Sequence, residues 1–254
     1  MKIFALSDPH LAFSVPDKVM NCFGDVWIDH FRKIQMFWER LVSKDDIVII
    51  TGDISWAKKV EQAIDDLHWL HCLPGKKVIV RGNHDFWWSS TRKMKYQLPS
   101  SLNMVHNNCV QMGKVVFFGT RLWDTEEYNC DDIVDWDPRK CRIQEKKKGE
   151  KLEQQEKIYN RELERLKLSI KTLPKSDDVL KIGLCHFPPL DHKLNPSRAS
   201  ALFESAGAKH VVFGHLHSLF NTNGYFGKLD GVEYHLTSGD YLRFRPKLIA
   251  EVED

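Results

Sequence analysis

Five short apolar runs in this chain end in the same punctuation, and that repetition restricts the fold more than any other feature. The clearest is Lys77-Val78-Ile79-Val80-Arg81-Gly82-Asn83-His84-Asp85. A buried-strand pattern stops there at a glycine, and an amide, an imidazole and a carboxylate follow. The other runs close at Asp8-Pro9-His10, Gly52-Asp53, His186 and Gly214-His215-Leu216-His217. In open α/β sheets, ligands bind just beyond the carboxyl ends of the strands. One polar turn after a strand means little. Five in one chain mean a sheet edge lined with donors.

The intervening residues say how such strands are joined. Lys2 to Leu6 reads as a strand, Val26 to Leu41 as a helix with Ile34, Phe37, Trp38 and Leu41 on one face, and Asp46 to Ile50 as a second strand. Val60 to Leu70 reads as a helix with Ile64, Leu67 and Leu70 inward, closed by Pro74-Gly75 ahead of the third strand. The order β-α-β-α-β calls for parallel strands. A short helix is expected at Thr91 to Tyr96, then strands at Met104 to His106, Cys109 to Met112 and Lys114 to Gly119. Arg121 to Arg142 is irregular and acidic. From Ile143 to Leu173, Tyr159, Leu163, Leu166, Ile170 and Leu173 recur at helical spacing, so a long helix should lie on the body of the domain. Later strands are expected at Leu180 to Leu184, His210 to Phe213 and Leu248 to Val252, with a helix at Ser197 to Ala206. A hairpin of Tyr225 to Leu229 and Val232 to Thr237 turns at Asp230-Gly231. The expected organisation is a single domain over 1–254 with a helical insertion at about 121–178.

Composition narrows the function classes. A formal net charge of +2 over 254 residues gives no general case for a nucleic-acid or anionic-membrane partner. No signal peptide fits the first residues, and no stretch has the roughly 20 apolar residues of a membrane span. Six cysteines lack CxxC spacing, which fits reduced thiols in a cytoplasmic protein better than a zinc ribbon or a disulfide framework.

Parallel strands would gather the five polar ends into one volume. Carboxylates, an amide and imidazoles suit manganese, iron, zinc or related divalent ions, and the lack of a cysteine cluster argues against a soft-metal site. Seven side chains are too many for one ion. They suit two ions that share a carboxylate and clamp the oxygens of an in-line displacement. The histidines at 30, 68, 71, 106, 192, 210 and 235 fit none of these positions and read as surface or core.

In this order, the motifs resemble the calcineurin-like metallophosphoesterase superfamily, whose signature is D-x-H, G-D, G-N-H-D/E, a lone H and G-H-x-H. The Arg-Gly-Asn-His-Asp stretch with Phe86-Trp87-Trp88 after it, and a C-terminal Gly239-Asp240-Tyr241-Leu242, are similar to a bacterial predicted-phosphohydrolase subgroup. The resemblance implies a four-layer α/β/β/α sandwich. It implies that Asp8, His10 and His217 hold one divalent ion, that Asn83, His186 and His215 hold another, and that Asp53 bridges both. Manganese comes first, with iron or zinc as alternatives. His84 would assist the leaving oxygen, Asp85 would orient His84, and Arg81 would contact phosphate. Pro9 departs from the family pattern, where an aliphatic residue is usual, but contributes no ligand atom.

The implied activity is hydrolysis of a phosphate ester or phosphoanhydride of a small phosphorylated substrate by attack of a metal-bridging hydroxide. The alternatives are a nuclease of the same fold, which would want a basic groove, and a metal-binding scaffold without catalysis. At least one of the aromatics after Asp85 should point away from the core, toward the cleft or toward the segment between Arg121 and Arg142, because successive residues do not share a face. Trp87 is the expected one.

Overall fold

The computed structural model describes residues 1–89, 94, 96–135, 148–176, 178–221 and 224–253, with only the backbone at 148–151. The strands are β1 (Lys2–Ala5), β2 (Ile47–Ile50), β3 (Lys76–Ile79), β4 (Leu102–Met104), β5 (Cys109–Met112), β6 (Val115–Gly119), β7 (Leu180–Leu184), β8 (His210–Phe213), β9 (Lys228–Leu229), β10 (Val232–Leu236) and β11 (Lys247–Glu251). The α-helices are α1 (His30–Leu41), α2 (Val60–Cys72), α3 (Lys148–Lys171) and α4 (Arg198–Ser205). The short helix expected at Thr91 to Tyr96 falls largely outside the described residues, as does the stretch 143–147 ahead of α3.

Two sheets stack face to face. The first runs β11-β1-β2-β3-β4, and the second β5-β6-β7-β8-β10-β9. In each, the inner strands are parallel and an edge strand is antiparallel: β11 on β1, β5 on β6 and β9 on β10. Both faces of the inner strands are covered, which is why they read as unbroken apolar runs. Successive residues alternate between the two sides. Ile3, Ala5, Ile47, Ile49 and Val78 meet Phe117, Ile182, Leu184 and Val212 between the sheets. Phe4, Leu6, Val48, Ile50 and Ile79 face Ile34, Trp38, Leu67 and Leu70 of α1 and α2. On the far side, Phe118, Val211, Phe213 and Tyr234 pack with Tyr159, Leu163 and Leu166 of α3 and Phe203 of α4. The four layers are therefore helices, sheet, sheet, helices.

Local chemistry sets the ends of these elements. Asp29 takes a left-handed backbone (φ 50), so α1 starts at His30 and not at Val26. Ser197 caps α4 through the backbone N–H groups of Ala199 and Ser200. Asp230 and Gly231 both have positive φ, 50 and 83, the geometry of a tight two-residue hairpin turn between β9 and β10. One inward expectation fails: Ile64 of α2 is exposed, and Ala63 and Asp66 are buried with Leu67 and Leu70 instead. Asp66 goes inward because it binds the Ser55 hydroxyl and the Phe13 N–H.

Lys77 of β3 is a buried cation with a defined task. Its Nζ donates to the carbonyls of Leu73, of Gly75 at 2.8 Å and of His71 at 3.5 Å, which end α2 and its turn. Burial lowers its pKa to about 8. Lys77→Met should strip these carbonyls of their donor and cost about 1–3 kcal/mol, read from the urea unfolding midpoint. Between the folded pKa near 8 and the model-compound value of 10.5, the unfolded chain holds the extra proton. Lys77 should therefore add stability as pH rises through that interval, and the Met variant should lack this slope. An unchanged midpoint would show that the carbonyls are satisfied without the lysine.

Candidate metal centre

Every donor expected from the sequence lies just past a strand of one sheet or the other. Asp8 and His10 follow β1, Asp53 follows β2, and Asn83 and His84 follow β3. His186 follows β7, and His215 and His217 follow β8. The loops are tied to each other by backbone bonds. The Asp8 N–H donates to the Gly52 carbonyl (3.1 Å), the His10 N–H to that of Asp53 (3.0 Å), and the Gly214 N–H to that of His186 (3.1 Å).

The backbone here is strained. Asp8, His10, Asp53 and His215 all have positive φ, at 56, 43, 50 and 71. Such residues cost on the order of 1–3 kcal/mol each and persist where the surroundings over-determine them. Two glycines make room for the carboxylates. A Cβ on Gly82 would lie 2.0 Å from Asp53 Oδ1, and one on Gly214 would lie 2.2 Å from Asp8 Oδ2.

The donor atoms form two sets that meet at Asp53. In one, His10 Nε2 is 3.3 Å from His217 Nε2 and 3.7 Å from Asp53 Oδ2, and His217 Nε2 is 3.8 Å from Asp8 Oδ1. In the other, Asn83 Oδ1 lies 2.6 Å from His186 Nε2 and 3.1 Å from His215 Nδ1, and His186 Nε2 lies 3.6 Å from Asp53 Oδ1. Atoms about 2.0–2.2 Å from one ion and roughly 90–110° apart would be separated by about 2.8–3.6 Å. Most of these spacings fall in or near that range. Asp53 presents one oxygen to each set.

The electrostatics agree with a cation site. Asp8 and Asp53 are almost fully buried, and burial pushes both carboxyl pKa values up. Burial also holds the imidazoles of His10 and His215 well below their usual value, and that of His186 down at about 3. His217 differs: burial alone would lower it, but the Asp240 carboxylate, with Asp8 and Asp53 behind it, raises it to about 9. A divalent ion would favour the ionised form of these buried carboxylates and the neutral form of the imidazoles beside them. The outer nitrogens are partly fixed as well. His186 Nδ1 bonds the Thr51 carbonyl, and His217 Nδ1 bonds Asp240 Oδ1, both at 2.7 Å. The residues present thus fit two divalent ions.

His84 stands at the open side. Its Nε2 is 3.9 Å from Asp53 Oδ2, its backbone N–H donates to Asp53 Oδ1 (2.8 Å), and its ring lies 4.5 Å from that of Trp56. Arg81 has a buried Nε with no partner among the described residues. Asp85 does not orient His84. Its Oδ1 accepts from the Ile54 and Ser55 N–H groups and from Trp87 Nε1, and its Oδ2 from the Gly82 N–H. It holds the β2 and β3 loops together. Trp87 does not face the cleft either, because its indole N–H is committed to the buried Asp85; the exposed ring is Phe86, 6.3 Å from that of His84.

Two contributors escaped the sequence reading. Asp240 follows β10 in a Ser238-Gly239-Asp240 stretch that repeats the strand-then-Gly-Asp pattern of Gly52-Asp53, and that signal could have found it. Trp56, stacked 5.0 Å from His10, had no signal of its own.

The sequence profile of the calcineurin-like phosphoesterase family matches residues 1–219. The gene 66 protein of Mycobacterium phage L5 is 37% identical over 79 residues, 31% of this chain and 37% of its own length. Its counterpart in phage D29 is 42% identical over 57 residues, 22% of this chain and 28% of its own length. The chain thus matches well under half of either phage protein. A protein of unknown function, AQ665 from Aquifex aeolicus, is 13% identical with a TM-score of 0.49, covering 97% of this chain and 95% of that one. Phosphopantetheinyl hydrolase (PptH) from Mycobacterium tuberculosis is 15% identical with a TM-score of 0.49, covering 98% and 95%.

Gly82→Ala tests the cradle. The added methyl would collide with both the carboxylate and the backbone N of Asp53. The variant should bind markedly less divalent metal per chain by elemental analysis while keeping its far-ultraviolet dichroism. Undiminished metal content would mean that the position of Asp53 does not govern ion binding.

Proposed function

The chain belongs to the calcineurin-like phosphoesterase family, and on that premise we propose that it hydrolyses a phosphate ester or phosphoanhydride of a small molecule, using two divalent ions. The observation that carries this reading is the pair of donor sets sharing Asp53. Asp8, His10 and His217 would hold one ion and Asn83, His186 and His215 the other, with Asp53 between them. Bound ions would supply Lewis acidity and a water activated near neutral pH, with manganese our first choice and iron or zinc next.

The protein's own groups do the rest. Asp240 fixes the ring of His217, and the Thr51 carbonyl fixes that of His186, so both imidazoles keep their orientation. His84, partly exposed beside Asp53, is placed to give a proton to the departing oxygen. Trp56 limits the swing of that ring. Arg81 brings positive charge within two residues of Asn83, where the phosphoryl oxygens would lie. Asp85 acts as a positioning residue for the Gly82 turn and has no part in proton transfer.

Among the described residues, no helix is long and apolar enough to cross a membrane. The five cysteines among the described residues are free, which fits the reducing cytoplasm in which we place the protein.

His84→Ala separates this enzyme from a metal-binding scaffold. Metal content should stay the same, and turnover of phenyl phosphate should fall by roughly 10²–10⁴-fold. Nitrophenyl phosphate, whose leaving group needs less protonation, should lose less. Equal losses for the two esters would remove His84 from the leaving-group step. A wild-type protein loaded with manganese that hydrolyses no ester, diester or anhydride would refute the hydrolase reading itself.

A further inference from the structure

Next to the candidate centre, arginine side chains gather. Arg81 sits two residues before Asn83. Arg121 follows β6, and its carbonyl accepts the N–H groups of His186 and Phe187, both at 3.0 Å. The Arg121 guanidinium lies 4.4 Å from the ring centre of Trp123. That ring stacks at 4.8 Å on Phe187, which in turn lies 3.9 Å from the ring of His215. Arg121 therefore stands two aromatic rings away from the centre.

A third arginine comes from the inserted helix. Glu162 of α3, buried, accepts from Arg121 Nη2 (3.1 Å), from Arg165 Nη1 (2.7 Å) and from Thr120 Oγ1 (2.7 Å). Burial lowers the pKa of the nearby His106, and the charge of Arg165 lowers it further against the opposing pull of Glu162. Among the described residues, the buried Nε atoms of Arg81 and Arg121 have no hydrogen-bond partner. An unmet buried donor costs about 1–3 kcal/mol, more when charged. A simple tether of α3 to the sheet would account for Glu162 and its two arginines. It would not account for the idle Nε donor of Arg121. Guanidinium groups match phosphate oxygens in pairs, and an anion supplied by the substrate would use that donor.

We propose that Arg121 and Arg165 form a subsite for a second anionic group of the substrate, beyond the phosphoryl group that Arg81 meets, so that the enzyme prefers molecules carrying two phosphates over simple monoesters. This rests on the hydrolase reading above. It gives the inserted helix α3 a part in specificity, because Glu162 and Arg165 both come from it.

Calorimetric binding to manganese-loaded protein tests the subsite with two non-hydrolysable probes, methylphosphonate and methylenediphosphonate. Arg165→Met should weaken the diphosphonate by about tenfold or more, the loss of one charge-assisted hydrogen bond. It should change the monophosphonate by less than about threefold by the same arithmetic. Arg165→Lys keeps the charge but not the fork and should fall between, and it carries the test if the Met variant melts early. Equal weakening for both probes, or none for either, overturns the subsite. Hydrolysis of phosphate esters by the wild-type protein is measured separately, so failure of the subsite leaves the hydrolase reading standing, and the reverse failure shows up as absent turnover.

Discussion

Asp8 and Asp53 put two carboxylates where water hardly reaches, at 0% and 2% exposure, and much of the site's architecture follows from that. A buried carboxylate is costly unless hydrogen bonds or cations compensate it. The protein supplies some compensation itself. Asp53 Oδ1 takes the His84 N–H, and Asp8 takes the His215 N–H through both oxygens. Burial still pushes both acids away from their ionised forms. The remaining demand is for cations, and the surrounding imidazole and amide donors are aimed where cations would satisfy it.

Strained backbone and close packing are the cost of that arrangement. Positive φ at Asp8, His10, Asp53 and His215 turns each side chain inward directly after its strand. The edge is held by hydroxyls that link the two sheets. Ser7 Oγ lies 2.5 Å from Thr51 Oγ1 and 2.9 Å from Thr237 Oγ1, and Ser7 bridges to Ser238. This clip joins the ends of β1, β2 and β10 at the place where the ligand loops leave the sheets. The donors come from both sheets, so neither sheet alone could build the site.

The strand ends were legible because a period-two apolar run followed by Gly, Asp, His or Asn is a local signal. Parallel strands followed from the β-α-β order and a long helix from the seam between Tyr159 and Leu173, whereas the four layers were implied only by the family resemblance. What stayed hidden depends on partners distant in sequence. Asp85 looks like a companion for His84 because it is next to it. In the fold it belongs to Ile54, Ser55 and Trp87. That commitment turns Trp87 inward, so the one ring that spacing expected outside the core is Phe86 and not Trp87. Likewise Asp66 displaces Ile64 from the buried face of α2 because a hydroxyl and an N–H 11 and 53 residues away require it. Asp240 was in plain view after an apolar strand, but its role is defined only by His217, which lies 23 residues earlier.

The central claim is that Asp53 lies between two ions. Crystals of the protein soaked in manganese, with diffraction recorded above and below the manganese absorption edge, address it directly. Two anomalous peaks about 3.5–4 Å apart are expected, one beside His10 and His217, the other beside Asn83, His186 and His215, with one oxygen of Asp53 toward each. A single peak, or a pair that leaves Asp53 to one side, would contradict it.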